Sequence, residues 1–237
     1  MDGVLLVNKH RGISSAGIIE VIKRTFGKKN INFKIGHGGT LDPEAQGLLL
    51  VGMGKHTKVL QSFIDDNKVY ETTINLLHFT TTDDISGEKE HVDIESIPTI
   101  DDVTNVVTNL IGDLEQIPSK YSAIKINGRR AYDLARKGED FEMKPRTVKI
   151  YNIEILLYDY PNLTLKISCS KGTYIRTIGR DIGKILGTGG YLTELIRLKS
   201  GQYSLDNAHD MNKIQSMIKD NKLETLLIKV ERSMRDV

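Results

Sequence analysis

One acid in this sequence stands where backbone geometry could hold it for chemistry. Ile35 to Gly54 reads IGHGGTLDPEAQGLLLVGMG, with Asp42 between a glycine-rich turn and an apolar run. Gly36, Gly38 and Gly39 can take positive φ or let backbone approach a ligand, and Pro43 fixes φ directly after the acid. A carboxylate on so stiff a turn suits a reaction that needs one ionised acid at a fixed point. An Asx-type turn feeding a strand is the ordinary use of the same residue types. Other chemistry is poorly provided for. The single Cys169 excludes an internal disulfide and a cysteine-based zinc site, and the six histidines show neither H-x3-H nor HExxH spacing. GMGKHT is not a phosphate loop, because Leu49 and His56 occupy positions that need Gly and Ser or Thr.

The elements that must position Asp42 follow from periodicity. Gly47 opens Leu48 to Val51, too short for a helix and apolar enough for a buried strand. Val4 to Val7 reads as another strand, followed by a helix that starts at Ser14-Ser15, buries Ile18, Val21, Ile22 and Phe26, and stops at Gly27. Phe26 to Asn30 is a basic loop. Val59, Leu60, Phe63 and Ile64 make one helical face, and Val69 to Leu77 alternates as a strand. Val103 to Ile111 is an amphipathic helix closed by Gly112, and Ala131 to Ala135 a short helix stopped at Gly138 after an Asn127-Gly128 turn. Val148 to Tyr158 and Leu163 to Cys169 form a hairpin about Pro161-Asn162, and Ile175, Ile178, Ile182 and Ile185 mark a further helix. The pattern predicts an α+β fold, a mixed, largely antiparallel sheet flanked by helices.

The chain has 237 residues, 39% hydrophobic and 27% charged, with a net charge of +2. That is ordinary globular composition, without a membrane helix or signal-peptide pattern. Charge is segregated. Six Lys or Arg face one acid between Lys120 and Lys137, and eight acids face Lys89 alone between Asp83 and Asp102. One face for a polyanion is the implication.

GHGGTLDPEAQG with GMGKHTK resembles the catalytic signature of the TruB-type tRNA pseudouridine synthases, and further matches run from Val4 to Tyr203. KHRGISS resembles the opening motif, with His10 in place of proline. TTTDDISG resembles TDTxDxxG, with Thr81 in place of aspartate. IPSKYSAIKINGRRAYDLARKGE, CSKGTYIRTIGRDIG and YLTELIRLKSGQY are similar to the later motifs. The resemblance implies the pseudouridine synthase fold, with a thumb insertion at about 115–144 within a catalytic domain spanning 1–210. It makes Asp42 catalytic, His37 the base-flipping histidine, Tyr70 and Tyr174 the aromatics at the base, Arg176 the partner of the acid, and Arg197 and Leu198 pocket residues. Lys9, Lys125, Arg129, Arg130, Arg136 and Lys171 are the phosphate candidates.

The activity so implied is isomerisation of uridine 55 in the tRNA T loop, with no cofactor or metal, tRNA as partner and a monomer as the working unit. Such an enzyme is expected inside the cell, in cytoplasm, nucleus or mitochondrion. Only 34 residues follow Tyr203, which suggests a helical tail at 211–237 without the PUA domain of many relatives and resembles the stand-alone eukaryotic branch. A guide-RNA-dependent synthase relies on that PUA domain. The alternative of another class is an RNA-binding, tRNA-folding protein with weak or lost catalysis.

Overall fold

A computed structural model describes residues 1–27 and 32–230, so the basic loop expected at 26–30 lies mostly outside the described residues. Two compact units are present, one formed by Met1–Tyr70 with the chain from Ile196 onward, the other by Glu71–Leu195.

The first unit begins with β1 (Gly3–Lys9), α1 (Ser15–Phe26), β2 (Ile35–Gly38), β3 (Gln46–Met53) and α2 (Leu60–Asp65), and β4 (Lys68–Asn75) starts in it. Helix α1 forms where capping and periodicity agree. The Ser14 hydroxyl accepts from Gly17 N, Ile18, Ile19 and Ile22 are buried, and Gly27 ends the helix at φ 78°. Strand β3 lies antiparallel between β1 and β2. Leu48 to Val51 have no exposure, so β3 is covered on both faces and its sequence does not alternate. Of the three glycines before the acid only Gly39 has positive φ, 86°. Gly36 and Gly38 lie in β2, where an added Cβ would meet Leu60 side-chain carbons at 3.2 and 3.3 Å. Their smallness therefore serves the packing of α2, not a turn. A 3-10 stretch, Gly54–Val59, precedes α2, and Ile64 at its end is exposed.

The second unit carries β5 (Phe79–Thr80), β6 (Lys89–Glu90), α3 (Ile100–Asn109), β7 (Gly112–Gln116), β8 (Lys125–Ile126), β9 (Arg129–Arg130), α4 (Ala131–Arg136), β10 (Arg146–Asp159), β11 (Asn162–Cys169), α5 (Ile175–Leu186) and the start of β12 (Tyr191–Ser200). Its strand order is β12-β4-β11-β10-β7. A full capping box between Thr99 and Asp102 starts α3. That helix ends at Asn109, and Gly112 opens β7 instead of closing the helix. Asn127 and Gly128, at φ 49° and 83°, make the tight turn of the β8-β9 hairpin. Ile175, Ile178 and Ile182 bury one face of α5, whereas Ile185 is 61% exposed. Between β7 and β10 the chain forms β8, β9 and α4.

At Ile196 the chain returns to the first unit, where β12 runs parallel to β3 with Arg197 opposite Gly47. Gly47 has φ 97°, and a Cβ there would lie 2.4 Å from Arg197 O. Only glycine permits this approach. Then come β13 (Tyr203–Ser204) and α6 (Met211–Lys219), capped by Asp210. Gln215 of α6 donates to Thr25 of α1 at 3.3 Å, and Val4 bridges Ile228. Of the tail expected at 211–237, the described residues 211–230 thus build into the first unit. The sheet is mixed and mostly antiparallel, flanked by helices. Among the described residues no helix is long and apolar enough to cross a membrane.

Candidate active site

Asp42 is half-buried between Leu41 and Ala45, both nearly fully buried. Five ties hold its loop. The Ser15 hydroxyl, 1% exposed, donates to Leu41 O at 2.9 Å and accepts from Leu41 N at 2.8 Å. Ala45 N donates to Asp42 O at 3.1 Å, and Gly12 N to Pro43 O at 2.9 Å. Arg11 Nε donates to Glu44 Oε2 at 2.6 Å. The fifth tie is Lys9, whose Nζ donates to the carbonyls of His10, Ile13 and Pro43 at 3.1, 2.7 and 3.3 Å. This corrects the expectation for Lys9. It has no exposure, so it holds the loop and cannot meet a phosphate. Burial lowers its pKa to about 8, opposed by the negative charges of Asp42 and Glu44.

Around this loop Arg197, 2% exposed, donates from Nε to Leu48 O at 2.7 Å and from Nη2 to Gly39 O at 3.1 Å. It clasps the glycine turn to β3 through backbone carbonyls. His37, at the middle of β2, is pushed to lower pKa by burial and then by the Arg197 charge, and its Nδ1 is buried without a hydrogen-bond partner among the described residues. It is therefore a neutral imidazole near pH 7. Tyr70 and Leu198 are half-buried in the same unit.

The second unit holds the remaining candidates. Arg176, 6% exposed, donates from Nη1 to Thr82 O at 2.9 Å and Asp84 Oδ2 at 3.2 Å, and from Nη2 to Tyr121 O at 3.1 Å. Asp84 also accepts from Thr82 Oγ1 at 2.7 Å and Ser86 N at 3.0 Å. Thr81, the departure from the motif, still closes this loop, its hydroxyl accepting from Glu88 N at 3.1 Å. Neighbouring Asp83 sits at φ 63° with its pKa raised by burial against the pull of Arg180. Lys125, Arg129, Arg130, Arg136 and Lys171 are all exposed. Arg129 is held by both carboxylate oxygens of Glu139 at 2.8 and 2.6 Å, and Lys120 reaches Asp140 at 3.4 Å. Two acids just past the basic run therefore offset part of it. Ser15, Gln116 and Asp84 escaped the sequence reading. Their types are common in turns and strands, and only long-range partners give them weight.

A model described as TruB family pseudouridylate synthase (N terminal domain) matches residues 23–175, and one described as tRNA pseudouridylate synthase B C-terminal domain matches 176–235. This chain belongs to the TruB family. It is similar to the tRNA pseudouridine synthase B of Syntrophotalea carbinolica, 37% identical across 100% of this chain and 76% of that protein. The protein of the same name from Alkaliphilus oremlandii is 40% identical over 92% of this chain and 71% of its own length. Among solved structures, a chain in a Cbf5-Nop10-Gar1 complex superposes with a TM-score of 0.72 at 26% identity, covering 94% of this chain. This TruB-family chain spans only 57% of that one. Residues 204–235 fall within the second family match.

Proposed function

We propose that this TruB-family chain is a tRNA pseudouridine synthase, an isomerase acting on uridine 55 of the T loop. The observation that carries the reading is Asp42, half-exposed on a loop fixed on both sides by buried groups. The relatives named tRNA pseudouridine synthase B support it.

The reaction breaks a C–N glycosidic bond, turns the freed uracil and makes a C–C bond, with no net change in oxidation. Attack at C1′, addition at C6 and removal of a ribose proton each begin from an ionised carboxylate, and Asp42 is that group. The backbone ties matter because an acid misplaced by an ångström loses much of its effect. In the first unit Tyr70, Leu198 and His37 are the residues assigned to the target base, and in the second Tyr174 and Arg176 take the roles that the family resemblance gives them. Unstacking the target costs a few kcal/mol, and stacking on an aromatic returns roughly 1–3 kcal/mol. Lys125, Arg129, Arg130, Arg136 and Lys171 engage phosphates and gain affinity by releasing counterions. The enzyme works as a monomer.

An unmodified T-arm hairpin and a full tRNA transcript, incubated with the protein and read by nuclease digestion and mass spectrometry, test this. Pseudouridine at the T-loop uridine is expected. Tight binding of both RNAs without product would overturn the reading in favour of an RNA-folding protein.

A further inference from the structure

Gln116 and Arg146 face each other as register partners in the β7-β10 ladder, and both act on Tyr174. Gln116 has no exposure. Its Nε2 donates to Tyr174 O at 3.0 Å and its Oε1 accepts from Tyr174 N at 2.8 Å. Tyr174 is the N-cap residue of α5 and has no side-chain cap of its own, so this amide fixes the backbone where the helix starts. Arg146 takes the ring. Its guanidinium carbon lies 4.5 Å from the Tyr174 ring centroid. Its Nε and Nη2 are buried with no hydrogen-bond partner among the described residues.

Buried donors of a charged group left unmade are costly, and such a group calls for an explanation. The aromatic face is what this cation meets instead, and cation–π attraction is strongest where the cation is desolvated. The planar guanidinium covers one face of the ring. Gly172, at φ 76°, lies beside it, and a Cβ there would come into ordinary contact with Arg146 Nη1 at 3.5 Å.

We propose that Arg146 is a positioning residue for the base pocket, locking the Tyr174 ring in one orientation while Gln116 fixes the backbone beneath it. The inference rests on the reading of Tyr174 as a pocket residue. A uracil detached from its ribose is retained only by the pocket walls, so a ring free to swing would let it slip between bond cleavage and bond formation. Arg146 acts through Tyr174 and does not touch the RNA, so its loss lowers kcat and spares KM.

The test compares wild type, Arg146→Met, Arg146→Lys, Tyr174→Leu and the double variant on the T-arm hairpin, each checked for folding by thermal melting. Arg146→Met is expected to lose about tenfold or more in kcat with KM within about twofold. Arg146→Lys, which keeps the charge without the flat face, recovers part of the loss. In the Tyr174→Leu background Arg146→Met adds little. Wild-type kcat in Arg146→Met overturns the proposal. So does a raised KM with unchanged kcat and a weaker salt dependence, which would make Arg146 a phosphate contact. Where Arg146→Met does not fold, Arg146→Lys decides, and wild-type kcat there refutes the role of the flat face. A readout independent of activity is 3-fluorotyrosine at position 174 followed by fluorine NMR. One sharp resonance in wild type, shifted or exchange-broadened in the position-146 variants, is expected, and identical spectra refute the lock. If wild type makes no pseudouridine the proposed function fails, and these spectra still judge the lock.

Discussion

Lys9 should make stability and activity move in opposite directions as pH rises, and its replacement by methionine should remove both trends. The ammonium is fully buried, and burial brings its pKa down from 10.5 to about 8. That drop corresponds to ~3 kcal/mol withheld from folding while the group is charged. An unfolded lysine keeps its proton up to its ordinary pKa, whereas the folded one loses it near 8. Between those values the unfolded chain binds more protons, so this residue makes stability rise with pH. Activity should do the opposite. Above about pH 8 the neutral amine has two donors for three carbonyls and no longer sets a positive charge near Asp42. Urea unfolding of both proteins at about pH 7 and about pH 10 isolates the group from everything else that titrates. Wild type should gain about 2–3 kcal/mol relative to Lys9→Met over that interval. Its turnover should decline past pH 8, while the variant starts low and stays flat. The same pH dependence of stability in both proteins would refute the reasoning, because Lys9 would then keep its ordinary pKa in the fold.

Gly47→Ala should cost more than about 3 kcal/mol by denaturant unfolding, since the new Cβ would fall 2.4 Å from Arg197 O at a φ of 97°. A loss under about 1 kcal/mol would contradict the pairing of β3 with the end of β12. Arg129→Ala should leave the unfolding midpoint unmoved, because its pair with Glu139 is solvent-exposed. It should weaken RNA binding and reduce the salt slope by about one, measured by titration over a range of salt. A lowered midpoint with an unchanged slope would make Arg129 a structural lock of the hairpin.

What the sequence made legible depended on how local the cause was. Helix α1 was readable because its cap, its buried isoleucines and its terminal glycine lie within fourteen residues. The β10-β11 hairpin and the Asn127-Gly128 turn were readable for the same reason. Ile185 was not, since helical spacing cannot say where the covering layer ends. Gly36 and Gly38 misled because a small residue serves a close-packed leucine as well as it serves a turn. Lys9 misled more seriously. Its position in a basic opening motif suggested phosphate, but one of its acceptors lies 34 residues away and only folding makes that carbonyl a neighbour. Gln116 and Arg146 likewise gain meaning from Tyr174, which is remote in the chain. The turn that carries Asp42 was legible because it is written in adjacent residues. Its ties to Ser15, Gly12 and Lys9 were not.

The most direct measurement is the single-turnover rate of Asp42→Asn on the T-arm hairpin, with RNA affinity measured on the same preparation. Asparagine keeps the size and the turn but not the charge. No detectable pseudouridine at unchanged affinity is the result expected of a catalytic carboxylate. Product formed within about tenfold of the wild-type rate, which is ~1.4 kcal/mol of barrier, would mean that Asp42 is not the group on which the chemistry turns.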